Sequence, residues 1–267
     1  MNKNRSAELH KMLILRYEPI AIKMIKDESE IPDGVLHPYR DRGKHLAYCQ
    51  ALAMARRDKV SIYMSPESEW CWNPLVTFGF VDAGVGTEAF EIISVLLGIP
   101  DKEQAHKFFA EFPRLPLGKY IGVVVAPLCN CTFEPDLTLI YCNNAQMRSL
   151  AWAVKAKTGK IISTQIDAID SCSYSSVLPQ LTGEFRVTIP DVGEYERANA
   201  DEDEIILTVP QGKLNMLIEG LHAFYDRNMG YPQLKRDMPL DFARPPFYND
   251  LYKMWGLEQG DDWESRQ

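Results

Sequence analysis

The sequence lacks any apolar run long enough to cross a bilayer. Its most hydrophobic stretches, IISVLLGIP and YIGVVVAPLC, fall far short of the roughly 20 residues that a spanning helix needs. The N-terminal MNKNRSAELHKML scatters charges among its apolar positions, so it has no unbroken hydrophobic segment of the secretory type. Positive charge is not in excess either. Lys and Arg number 29 against 37 Asp and Glu, a formal net charge of -8, and the basic surface needed to neutralise nucleic-acid phosphate is missing. These absences predict a soluble cytoplasmic protein that engages neither nucleic acid nor membrane.

Signature motifs are also missing. No G-x-G-x-x-G follows a strand, and no G-x-x-x-x-G-K-[ST] phosphate loop occurs. Neither a G-x-S-x-G nucleophile elbow nor H-E-x-x-H is found. The run GFVDAGVGTEAF brings Gly79, Gly84 and Gly86 close together, but at a spacing that suits a turn better than a phosphate cradle. No repeat, low-complexity tract or Gly/Ser linker divides the 267 residues. Six cysteines in a chain of this length do not form the dense framework of a small secreted domain, so thiols are expected.

What is present is an alternation of periodicities. AELHKMLILRY sets Leu9, Met12 and Leu13 on one helical face, and the strand-like IAIKMI follows. HLAYCQALAMARRD is rich in helix formers and leads into the β-like VSIYM. Residues 87–98 read as a helix stopped by Gly98 and Pro100, and Asp101 caps the next helix, DKEQAHKFFAEF. YIGVVVAPL and DLTLIYC are strands, AQMRSLAWAVKAKTG is a helix ending at Gly159, and KIISTQI is β-like. A short helix over 171–183, the strands FRVTI and IILTVP, and the helix QGKLNMLIEGLHAFYDR complete the pattern. The expected fold is α/β or α+β: one layered domain over residues 1–227 with a mixed sheet. Residues 228–267, rich in Pro and aromatics, are expected to form an extended arm packed on the domain or on a second subunit.

The cysteines carry the chemical interest. Cys49 lies on a helix that His45 is expected to begin, with Arg56 two turns further along the same face. A nearby cation favours the thiolate, which is both nucleophile and metal ligand, although about 10 Å of helical rise weakens that coupling. Cys71 sits between Trp70 and Trp72. Cys129 and Cys131 form a C-x-C after a buried strand, Cys142 ends the next strand, and Cys172 opens the helix over 171–183. The spacings match neither a zinc ribbon nor a ferredoxin run, so any metal site must be assembled from distant segments.

Four stretches taken in order resemble a bacterial and archaeal family of uncharacterised ArCR-type proteins, domain of unknown function 169. They are LHKMLILRYEPIAIKM, HLAYCQALAMARRDKVSIYMSPESEWCWNPLVTFGF, EPDLTLIYCNNAQMRSLAWA and SCSYSSVLPQLTGEFRVTIPDVGEYERANADEDEIILTVPQGKLNMLIEGL. The resemblance spans residues 8–222 and implies that Cys49, Cys71 and Cys172 are family-type cysteines. It also shows departures. Asn73 and Pro74 stand where a glycine is usual after the second Cys. Gly193, Glu194, Tyr195, Glu196 and Arg197 replace a Gly-Cys-Gly-Arg-like segment, which leaves Cys129 or Cys131 to serve as a fourth thiolate.

Three classes of function are compatible with these residues. The first is an iron–sulfur or other metal protein of anaerobic or redox metabolism, an oxidoreductase, a lyase or its accessory subunit. Here Cys49, Cys71 and Cys172 are the ligands, with a fourth from Cys129, Cys131 or an external molecule, and zinc is the other metal considered. Tyr48, Trp70 and Trp72 would border a small aromatic or carboxylated substrate, and His45, Arg56 and Asp167 are the candidate catalytic groups. The second is a metal-free thiol or acid–base enzyme built on Cys49 with His45 and Arg56, or on Asp136, Asp167 and Asp170. The third is a binding or accessory module that forms a homodimer or meets a partner enzyme through the C-terminal arm.

Overall fold

The computed structural model describes residues 1–82, 84, 88–96, 98–99, 101–233 and 246–256. Residues Met1–Gln233 form one compact unit and Leu234–Gln267 a second. In the second unit, within the region expected to be an extended arm, Phe247–Met254 is a helix. Pro100, expected to help end a helix, lies outside the described residues.

The first unit is built on one mixed sheet. Its strands are β1 (Ile20–Ile25), β2 (Ile62–Met64), β3 (Gly122–Pro127), β4 (Leu137–Cys142), β5 (Ser163–Thr164), β6 (Arg186–Thr188) and β7 (Ile205–Pro210). They lie in the order β2-β3-β1-β4-β7-β6-β5. All neighbours are antiparallel except β5 and β6. In β3 and β4 every residue is buried, which is why VVVA and LTLIYC read as continuous runs rather than as alternating ones: both faces are covered.

Alternation sorts the side chains between two cores. Ile22, Val123, Val125, Leu137, Leu139 and Ile206 face one way, with Tyr48, Leu52, Phe78 and Cys172 packed on them. Ala21, Ile140, Cys142, Leu207 and Val209 face the other way, under helices Asn2–Leu13, Asn144–Thr158 and Leu214–Tyr225. The last two helices approach closely at Gly220, where a Cβ would stand 2.6 Å from the Ala153 carbonyl oxygen. The Asn144–Thr158 helix is capped at both ends, the C-terminal one at the expected Gly159. Asn143 accepts from the Gln146 N–H at 2.9 Å, Gln146 Oε1 accepts from the Asn143 N–H at 2.8 Å, and Gly159 closes the helix with φ 69°. A satellite core of Val76, Phe90, Ala105, Phe109 and Phe112 joins three further helices.

Candidate functional site

Cys49 lies in the first turn of the helix Tyr48–Ala53. That helix starts at Tyr48 because Leu46 is engaged in a bridge to Glu69. His45 therefore lies outside the helix, exposed, with its ring 4.8 Å from that of Tyr39. The helix continues as a π-helical turn, Met54–Asp58, and a second π-turn, Ser173–Val177, follows Cys172 directly. Such widened turns occur often at functional sites. Cys71 is the residue before the helix Trp72–Thr77.

These three elements converge on the start of a helix that sequence reasoning missed, Val192–Ala198. Its N-cap Asp191 accepts from the Glu194 N–H at 2.9 Å. The Cys49 thiol points at the Gly193 carbonyl, 3.8 Å away. The Cys172 thiol donates to Asn73 Oδ1 at 2.7 Å, and Asn73 in turn donates to Asp170. Asp170 Oδ2 is buried with no hydrogen-bond partner among the described residues.

The three thiols share one electrostatic environment. Burial pushes Cys49 up, and the charges of Glu194, Asp191 and Cys71 push the same way, against Arg197. Burial raises Cys71 as well, with Glu69 and Asp191 adding to it and Arg197 opposing. Cys172 is raised well above an ordinary thiol by burial and by Asp191, Cys71, Asp170 and Cys49. All three are thus held protonated. The acids are perturbed too. Burial lifts Glu69 to about 8, against backbone N–H donors from Cys71, Trp70 and Tyr48. Burial lifts Glu194 to about 7 with help from Asp191, and lifts Asp170 to about 7 with help from Asp167. Serine and tyrosine hydroxyls complete the network. Ser171 Oγ donates to Glu194 Oε1 at 2.6 Å and lies 2.9 Å from Asp191 Oδ2, and Tyr141 donates to Glu194 Oε2 at 2.8 Å.

A profile of a known family matches residues 8–220. The chain belongs to the domain of unknown function 169 family, described as uncharacterised ArCR. An uncharacterised protein of Methanocaldococcus jannaschii is 22% identical to this domain of unknown function 169 protein over 224 residues, 83% of this chain and 94% of that one. No solved structure matches. The resemblance read from the sequence is therefore confirmed. No helix among the described residues is long and apolar enough to cross a membrane.

Other expected site residues of this family member lie elsewhere. Arg56 does not face Cys49: it is buried, pairs with Glu204 at 2.5 Å and stacks 4.2 Å over the Tyr141 ring. The cation beside the thiols is Arg197, whose guanidinium lies 4.9 Å over Trp70. Trp70 is half-exposed and reaches Gln50 Oε1 at 3.4 Å. Trp72 belongs to the satellite core, 6.4 Å from the Phe112 ring. Tyr48 is fully buried with its hydroxyl 3.0 Å from Ser176 Oγ. Asp167 caps a turn by accepting from the Ile169 and Asp170 N–H groups, and Asp136 accepts from the Met24 N–H at 2.8 Å.

The C-x-C does not reach the trio. Burial raises Cys129, whose charged neighbours are Glu18 and Lys59, and Cys131 donates to the Phe133 carbonyl at 3.0 Å. Cys142 is a core thiol directed at the Ile205 carbonyl. Among the described residues, no three His, Cys, Asp or Glu side chains are already arranged to hold a metal ion. In donor chemistry, three soft thiols inside an acid wall suit a soft cation; in the geometry shown, two of them are hydrogen-bond donors to oxygen. Ligation therefore requires them to lose their protons and turn.

Proposed function

We propose that the chain binds a soft metal ion or an iron–sulfur cluster through Cys49, Cys71 and Cys172, and acts with it on a small aromatic or carboxylated molecule in redox or lyase-type chemistry. One observation supports the reading: thiols from three distant segments lie near enough to influence one another's ionisation, among the carboxyl groups of Glu69, Asp170, Asp191 and Glu194. The acidic surroundings that disfavour a free thiolate favour a bound cation in its place. A group held by three protein thiolates keeps a position for an outside ligand and supplies Lewis-acid chemistry there. Arg197, stacked on Trp70, is the cation placed to orient a carboxylate, and the Trp70 face suits a flat ring.

Anaerobic purification followed by an absorbance spectrum and iron, sulfide and zinc counts tests this. The expected result is a metal content abolished by Cys49→Ser, Cys71→Ser or Cys172→Ser and kept by Cys129→Ser and Cys131→Ser. A colourless, metal-free protein with six titratable thiols overturns it. A second reading, a metal-free binding module, draws on the thiols' present role as hydrogen-bond donors. The raised thiols count against Cys49 as an unaided nucleophile.

A further inference from the structure

A second site lies at the β5 edge of the sheet and owes nothing to the thiols. A cleft of about 430 Å³ opens between the ends of helices Asn144–Thr158 and Leu214–Tyr225 and the segments carrying β5 and β6. That volume falls in the range of small-molecule sites, roughly 300–1,000 Å³. Its apolar wall includes Ile162, Phe185 and Met216, all part of the core on that side.

The polar wall is unlike the rest of this acidic chain. Lys160, Arg186 and Lys213 all line the cleft, and Glu184 is the single carboxylate among the lining residues. Glu184 is shared by two of the cations, Lys213 at 3.4 Å and Lys160 at 3.9 Å. Arg186 has no such partner: its Nε is buried without a hydrogen bond, and its side chain forms no ion pair among the described residues. A half-buried guanidinium with no carboxylate partner at the wall of an open cleft is available to an incoming acceptor.

We propose that this cleft binds an organic carboxylate with an apolar body, its head on Arg186 and Lys213 and its body against Phe185, Ile162 and Met216. Lys213 already lies 5.5 Å from the Phe185 ring centroid, so charge and apolar wall adjoin. A neutral molecule of the same body leaves the cations unanswered, and a cationic one is repelled. Glu184 competes with the incoming carboxylate for Lys213 and Lys160, which gives the site a group whose removal must act in the opposite direction.

Titration calorimetry of the full chain with octanoate, 1-octanol and octylamine tests the proposal. Octanoate is expected to bind and the other two to bind at least tenfold more weakly. Arg186→Gln should weaken octanoate by about tenfold or more, as expected for loss of a charged hydrogen bond. Glu184→Gln should tighten it, and added salt should weaken it. If Arg186→Gln fails to give a native circular dichroism spectrum, Lys213→Gln decides in its place. Absent octanoate binding, equal binding of octylamine, or octanoate affinity unchanged in a folded variant overturns the assignment.

Discussion

The two faces of the sheet are built on different terms. Under helices Asn2–Leu13, Asn144–Thr158 and Leu214–Tyr225, Leu9, Leu150, Leu207 and Leu217 are fully buried and Gly220 lets two helices touch, while Asn2, Arg5, Ser6, Gln146 and Ser149 are the helices' buried polar groups. Across the sheet, Asp170, Ser171, Ser173, Asp191 and Glu194 are buried near the three thiols, and Arg56 is buried against Glu204. Aliphatic burial stabilises at roughly 25 cal/mol per Å², whereas buried polar groups break even only when satisfied. Both faces carry an apolar core; the second adds buried acids and hydroxyls held in fixed positions beside the thiols, which is the pattern expected where function resides.

Removing groups from each face sharpens this contrast. The largest effect is expected from Arg56→Ala, which strands Glu204 in the interior and should cost about 3–5 kcal/mol in a urea unfolding curve. A paired Arg56→Met, Glu204→Leu variant should recover most of that loss; if it does not, the ion pair has a role beyond neutralising itself. On the aliphatic face, Leu217→Ala should cost about 2–5 kcal/mol through the cavity it leaves, with no effect on thiol chemistry.

A pH effect comes next. Glu194 has its ordinary 4.5 raised to about 7 in the folded state, so the native chain holds a proton that the unfolded chain has released. Its contribution is complete below about pH 4.5 and is lost as pH rises through about 7, on the order of 3 kcal/mol. Stability measured from pH 5 to 8 should therefore fall, and Glu194→Gln should flatten the slope; an unchanged slope in that variant removes Glu194 as its source. The smallest effect belongs to a helix end on the aliphatic side. Asn143→Ala removes the cap on the Gln146 N–H and should cost about 1 kcal/mol.

The same contrast explains what could be read from sequence. The aliphatic face announces itself by periodicity: Leu9, Met12 and Leu13, or Leu214, Leu217 and Leu221, recur at helical spacing, and the β3 and β4 runs are unbroken. The thiol site obeys no local period. Cys49, Cys71 and Cys172 were selected by family resemblance, and their meeting depends on tertiary closure. Asp191 and Glu194 were missed although a cue was present, an acidic cap followed three residues later by Glu, which marks a helix start. Arg56 was misplaced because the helix widens into a π-turn, so spacing counted at 3.6 residues per turn no longer says which way its side chain points. Glu69 carried no sequence signal, since only burial makes its carboxyl unusual.

The long reach of the hydrogen bonds made by Cys49 and Cys172 has a kinetic consequence. The acceptor for Cys49 lies 144 residues downstream, and that for Cys172 lies 99 residues upstream. During synthesis Cys49 emerges long before Gly193 exists, and it stays open to alkylating agents until the chain past Gly193 has been made and docked. Closure over such loops is slow relative to helix formation. Protection of the Cys49 sulfur from a maleimide pulse is therefore a clock for the final docking step, and it runs whether or not a cofactor is ever loaded.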